Sequence, residues 1–341
     1  MKSSSPRNLK VGIRGSLREL QTILADPSSQ YIKTVFVGAP KHLGPTGRFK
    51  TYPTNIKILK EITQVTHAKG IETDVVLNTW DPGKNPYAPH KEKKIKRFIA
   101  SLERINVDWI TLASPLWIRW ANEVRTKIKI NLSLYAFAVG PLFAKEFVEM
   151  GVNNITLPQH INRDFPLLRR IKKCCGVPLT VFVNSKCVNG GFCPYLFAHR
   201  FYKSHQTLVS ANQWTKVQDP FLCHYCNPRR KAKLIDILFA PTIRPEDMWL
   251  YEKIGIHQFK IASRQASASR TIKLVRAYGQ RKFSGRFGEL WTVSPMKDKT
   301  PPNRFLDGVL KKVMHWPEEK QFEYFVALAD KYEKIRTKKN R

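Results

Sequence analysis

Eight short β-rich runs, most of them separated by stretches with helical spacing, constrain this chain more than any other feature. They are LKVGI (9–13), KTVFV (33–37), IETDVVL (71–77), VDWITL (107–112), IKINL (128–132), NNITL (153–157), PLTVFV (178–183) and IHQFKI (256–261). Between them, Leu17, Leu20 and Leu24 recur at i, i+3 and i+7, the spacing of one helix face. Ile58, Ile62 and Val65 do the same in NIKILKEITQVTHAKG, where Gly70 reads as the C-cap. Gly151 and Gly255 end PLFAKEFVEMGV and EDMWLYEKIG in the same way. Each crossover helix returns the chain to the same end of the sheet, so the strands are expected to be parallel. Eight such units close a barrel. The expected fold is therefore α/β, a TIM-like (β/α)8 barrel, with a doubly wound sheet as the alternative. LIDILFA (234–240) reads as a ninth candidate strand, which makes the expected barrel irregular.

Reactive groups of such a barrel lie on the loops after the strands' C-terminal ends. The longest of these follows PLTVFV and runs over 184–233. Loops of that length in a compact domain are commonly functional. The expected division is a barrel domain over 1–290, cysteine loop included, and a C-terminal extension over 291–341. The extension ends in a basic amphipathic helix with Phe322, Phe325, Leu328 and Tyr332 on one face.

Hydrophobic residues make up 42% of the 341 residues, enough for a core and too many for a disordered chain. No uninterrupted apolar run reaches the roughly 18 residues of a membrane span. MKSSSPRNLKVGI carries charge but no apolar signal core, so a cytoplasmic location is expected. Lysine and arginine number 59 against 26 aspartates and glutamates, a net charge of +33. A field of that sign draws RNA or another anionic substrate, and a generally basic host proteome produces the same excess. No phosphate loop or dinucleotide fingerprint is present. GRFGEL has neither the spacing nor the preceding strand.

Four of the six cysteines fall in the long loop, at Cys187, Cys193, Cys223 and Cys226. Cytosolic proteins seldom keep structural disulfides, and four thiolates suit zinc or an iron–sulfur cluster. Five residues separate Cys187 from Cys193, too many for a tight zinc knuckle, which favours a cluster with zinc as the alternative. Arg200, Lys203, Arg229 and Arg230 surround them and lower thiolate pKa. His224 reads as a neighbour of the ligands. Cys174 and Cys175 end a helix before a strand, on the opposite face of a barrel, and read as packing residues.

The order of these segments resembles the collagenase-like peptidase family of unknown catalytic type, the U32-like family. It includes the oxygen-independent ubiquinone-pathway hydroxylation pair and RNA base hydroxylases. VGIRGSLRELQTIL, VFVGAPKHLGPTGRF, VVLNTW, INLSLYAFAVG, MGVNNITLPQHI, VFVNSKCVNGGFC, CHYCNPRR and GIHQFKIASR follow the family's order over roughly residues 9–280. The resemblance implies a barrel-like fold and a 4Fe-4S cluster held by Cys187, Cys193, Cys223 and Cys226. It also implies oxygen-independent hydroxylation of an aromatic or nucleobase substrate, in some members with a heteromeric family partner. Three positions depart from the family. Asn184 or Ser185 stands where it has a histidine, Ala262 where the last strand motif has an acid, and Gln159 where the sixth strand often ends in one. These changes argue against a carboxylate-dependent mechanism. A peptidase is a further alternative, without a nucleophile–base pair or zinc-protease motif to carry it. An RNA-binding or scaffold protein with a structural metal is another.

Arg48, Asn78 and Arg264 are the candidate substrate contacts, with Lys260 near Arg264. Thr79, Ser133 and Tyr135 also stand at strand ends facing the expected pocket. Trp80 and Trp117 read equally as base-stacking or core residues. The basic, aromatic stretch 270–291 reads as a nucleic-acid groove or as a helix with a solvated basic face.

Overall fold

The computed structural model describes residues 7–40, 43, 54–79, 89–185, 187, 193, 233–291 and 299–339. Eight strands form the centre: β1 (Leu9–Gly12), β2 (Ile32–Gly38), β3 (Glu72–Leu77), β4 (Trp109–Leu112), β5 (Lys129–Leu132), β6 (Asn154–Thr156), β7 (Leu179–Phe182) and β8 (Gln258–Ile261). Each pairs in parallel with the next, and β1 pairs with β8, so the barrel is closed. The TIM-like expectation holds. The ninth candidate strand does not, because Ile235–Leu238 is a short helix. A closed barrel has no free edge for another strand, and a short apolar run fits a buried helix as well as a strand.

Sequence signals place the helices. Ser16, Asn55, Asp164 and Ser267 accept the first-turn N–H groups of Leu17–Ala25, Ile56–His67, Phe165–Cys174 and Ala268–Gly279. Gly70, Gly151 and Gly255 have φ of 64°, 89° and 80°, the left-handed conformation that stops a helix and favours glycine. In Ile56–His67 the buried face is Leu59, Ile62, Thr63 and Thr66. Ile58 and Val65 only flank it, so the face lies about one position from the one the apolar spacing indicates. Buried Thr63 and Thr66 bond back to helix carbonyls and occupy positions an apolar count misses.

Alternate strand residues, such as Val11, Val35, Val75, Ile110, Ile130, Val181 and Phe259, are buried in the main core. The other set is largely polar and joins side chain to side chain across six strands. Thr111 Oγ1 donates to Asp74 Oδ1 at 2.7 Å, and Asn131 Nδ2 donates to Thr111 Oγ1 at 2.8 Å. Asn154 Nδ2 donates to Asn131 Oδ1 and, at 3.1 Å, to Thr180 Oγ1. Thr180 Oγ1 donates to Gln258 Oε1 at 3.1 Å. TIM-barrel interiors are usually filled by branched apolar side chains; this belt fills the space with hydrogen-bonded ones. Lys10 of β1 is buried beside it, its Nζ 5.2 Å from the Trp109 ring centre. Burial pushes Lys10 down to about 7, against the pull of the Asp74 carboxylate.

The C-terminal helix Glu318–Lys339 buries Gln321, Phe325, Ala329 and Tyr332, with Phe322 and Leu328 alongside. Phe322 and Phe325 pack edge-on against Phe239 at 5.3 and 5.4 Å. Trp117 is wholly buried, so it is a core residue. Cys175 is buried, but Cys174 is exposed, which corrects the packing role expected of Cys174. Among the described residues, no helix is long and apolar enough to cross a membrane.

Candidate functional site

The C-terminal ends of the strands hold a cavity of about 50 Å³. Asn78, Ser133 and Tyr135 line one side of it, and Lys260 and Arg264 another. Phe36, Val76 and Phe182 are also in its wall. Residues from the ends of β3, β5 and β8, distant in sequence, therefore meet in one place. Arg48, Trp80, Cys223, His224 and Cys226 lie outside the described residues.

The cationic side is organised around Phe36. Lys260 Nζ sits 4.1 Å from the ring centre, and the Arg264 guanidinium carbon 5.8 Å. Cation–π contact holds both charges against one aromatic ring. Gly12 makes room for this arrangement. A Cβ there would stand 2.6 Å from the Phe36 ring and 2.8 Å from Arg264 Cγ. Ser263 Oγ donates to the Gly12 carbonyl at 2.6 Å, tying the chain before Arg264 to the end of β1.

The opposite side is neutral. Asn78 Nδ2 donates to Ser133 Oγ at 3.2 Å, and Ser133 Oγ also accepts from Tyr135 N–H at 3.3 Å. These bonds fix the amide. Its Oδ1 is buried without a hydrogen-bond partner, which is unfavourable until a donor reaches it. No carboxylate stands among the described lining residues; Ala262, which replaces the family's acid, lies in the wall.

Asn184 has a structural role that its sequence position does not disclose. Its Oδ1 accepts from Ala262 N–H at 2.8 Å and its Nδ2 donates to the Ala262 carbonyl at 3.3 Å. It clamps the ends of β7 and β8 together. Just beyond, Cys187 N–H donates to Ser185 Oγ at 3.3 Å. Thr242 Oγ1 donates to the Ser185 carbonyl at 2.5 Å, and Trp291 Nε1 donates to Thr242 Oγ1 at 2.9 Å. Thr242 and Trp291 thus hold the backbone that carries Cys187, and nothing in their sequence context marks them. Gln159 is buried with its Oε1 unpartnered and is not in the cavity wall.

Cys187 and Cys193 are both half-buried thiols, and both follow the C-terminal end of β7. Their donor chemistry fits a soft metal centre, and the nearby cationic wall suits an anionic one. Among the described residues no three His, Cys, Asp or Glu side chains gather as a metal site.

A closed parallel barrel with thiols after its seventh strand and a cationic mouth defines the class: a (β/α)8 protein whose site lies at the strands' C-terminal ends. The chain belongs to peptidase family U32, whose model matches residues 19–190. A Methanocaldococcus jannaschii protein called an uncharacterized protease is 29% identical over 258 residues, covering 75% of this chain and 74% of its own. The solved structure of the U32 peptidase Mk0906 is 19% identical, with a TM-score of 0.54, over 77% of this chain and 95% of that one. That structural likeness shows a shared fold.

Proposed function

We propose that this chain is an iron–sulfur protein that hydroxylates an aromatic or nucleobase substrate at the barrel mouth without molecular oxygen, the hydroxyl coming from an oxygenated organic co-substrate that is reduced in the same turnover (Ar–H + R–OH → Ar–OH + R–H). The observation that carries the reading is the combination at one barrel end. Half-buried thiols follow β7, and a pocket lined by Lys260, Arg264 and Asn78 lies at the same end. Cys187, Cys193, Cys223 and Cys226 would hold a 4Fe-4S cluster, which when bound supplies electron transfer.

The chain's own residues bind and orient. Lys260 and Arg264 attract an anionic or acceptor group of the substrate, as a phosphate-bearing nucleotide offers. Phe36 and Phe182 give apolar walls. Asn78, its Nδ2 held by Ser133 Oγ, brings an amide to the wall against which a substrate's polar edge would pack. With no carboxylate in the described wall, these side chains supply binding rather than acid–base catalysis. A heteromeric family partner carrying the acid–base groups fits that division of labour.

Anaerobic purification of the wild type beside Cys193→Ala tests the reading. The wild type is expected to be coloured and to carry about four irons per chain, the number a [4Fe–4S] cluster holds, and the variant to lose most of both. A colourless, iron-free wild type overturns the cluster. Zinc in its place supports the second reading, an RNA-binding or scaffold protein with a structural metal, which the +33 charge favours. The peptidase alternative rests on the family's name and on those of the two relatives. No histidine stands beside Ser133 in the described wall, and incubation with gelatin or short peptides is expected to give no cleavage. Sustained turnover there overturns the hydroxylase reading.

A further inference from the structure

The helix Phe165–Cys174 turns a cationic face outward. Arg169, Arg170 and Lys173 are exposed on it, and Lys172 is half-buried. Phe165, Arg169 and Lys172 recur at i, i+4 and i+7 and so share one stripe. That stripe borders the helix Met248–Glu252. The Phe165 and Tyr251 rings are 4.9 Å apart, and Lys172 covers Gly255, where a Cβ would stand 3.2 Å from its Cε. Arg169 lies between these two contacts on the stripe. On the neighbouring helix Trp249 is 37% exposed, a large aromatic side chain left at the surface. Lys253, one turn on, holds its ammonium 4.5 Å from the Trp249 ring centre.

Among the described residues none of Arg169, Arg170, Lys172, Lys173 and Lys253 forms an ion pair. The carboxylates nearby have other partners. Asp164 caps its own helix, accepting from Leu167 N–H at 2.9 Å. Glu252 pairs with Arg281 at 2.6 Å. Glu246 and Asp247, just before Trp249, pair with the buried Arg244 at 3.4 and 3.8 Å. What is left at the surface is a row of cations beside an indole. Single-stranded nucleic acid binds to such a combination, its phosphates on arginine and lysine and its bases on aromatic rings. A base holds an indole more strongly than an exposed ammonium does, so Lys253 can leave the ring for a phosphate. An anionic bilayer fits less well. The exposed apolar residues Leu142 and Phe143 belong to the helix Pro141–Glu149, whose exposed Glu146 and Glu149 repel such a surface. No residue of the cationic face lines the mouth, so what it binds does not depend on the hydroxylase reading.

We infer that this face binds single-stranded nucleic acid, the arginines and lysines holding phosphates and the Trp249 ring taking a base. Fluorescence anisotropy of the full chain with two labelled probes tests it: a short oligouridylate, and an abasic ribose-phosphate oligomer of the same length. Trp249→Ala should weaken the oligouridylate about tenfold and leave the abasic oligomer unchanged, with an unchanged circular-dichroism spectrum. The double variant Arg169→Ala and Lys173→Ala, on the exposed surface, should weaken both probes and make the slope of log K against log salt shallower by about 1 to 1.5 units. If Trp249→Ala fails to fold, that slope decides. Equal losses for the two probes in folded Trp249→Ala, or a wild-type slope in the double variant, overturns the inference. Phosphatidylglycerol vesicles that displace the oligouridylate, and whose binding is lost in the same variants, also overturn it in favour of a lipid surface.

Discussion

Asn78 and Gly12 act on the mouth in opposite ways, one by what it offers and the other by what it lacks. Asn78→Leu is close in volume, so the fold should survive, while the amide that lines the mouth disappears. Substrate affinity should fall roughly tenfold to a hundredfold, since a hydrogen bond in such a site is worth about 1–3 kcal/mol; equilibrium binding on the folded variant measures it. Gly12→Ala drives a methyl into the Phe36 ring, and overpacking of this kind destabilises by about 1–3 kcal/mol. A lower thermal midpoint, together with weaker anion binding as Lys260 and Arg264 lose their seat, is the expected pair of effects. Lys10 supplies a pH signature. Its folded pKa of about 7 lies below the unfolded value of 10.5, so between those values the unfolded chain holds the extra proton. Its contribution to stability therefore rises with pH from about 7 to about 10.5, and is flat below 7, where both states are protonated. Lys10→Met should remove that slope, of at most about 1.4 kcal/mol per pH unit, as followed by urea unfolding at several pH values.

At the level of elements, the positions of the eight strands and the helix stops were legible because each has a local cause, whereas strand order comes from the closed barrel alone. The β-rich runs, the helical spacing of Leu17, Leu20 and Leu24, and the C-cap glycines at positions 70, 151 and 255 are all written in short windows. The hydrophilic belt from Asp74 to Gln258 was not legible. Threonine and asparagine at strand positions look like surface until closure turns them inward. LIDILFA misled for the converse reason: its apolar run is satisfied by packing under the C-terminal helix, and Phe239 is the contact that decides it. The mouth was half legible. Asn78, Ser133, Tyr135 and Arg264 could be taken from strand ends, whereas Phe36, Thr242 and Trp291 matter through tertiary contacts alone. Phe325→Ala tests the packing of the C-terminal helix. Losing a buried phenylalanine typically costs about 3–5 kcal/mol. Proteolysis should then cut within 318–339 before the barrel opens, because the closed sheet has its own ring of strand hydrogen bonds.

Across the whole molecule, a charge of +33 and a mouth built around Lys260 and Arg264 make separable claims about nucleic acid. A basic surface binds any single strand through counterion release, with log K falling by about 0.7 per phosphate neutralised for each decade of salt. A mouth that reads one nucleotide adds little to that slope, because Lys260 and Arg264 meet a single group. Binding of single-stranded RNA should therefore weaken steeply as salt is raised. Lys260→Ala should lower affinity while changing the slope by less than about one unit. Replacing the two exposed lysines, Lys93 and Lys94, of the helix Pro89–Arg104 should instead flatten the slope and leave the discrimination between RNA and a non-aromatic polyanion intact. Heparin is the comparison: if it matches RNA in affinity and Lys260→Ala affects the two alike, the charge is a general surface property and the mouth does not engage a base. If RNA binding alone responds to Lys260→Ala, surface and mouth cooperate, the surface gathering the polyanion and the mouth selecting the residue to be modified.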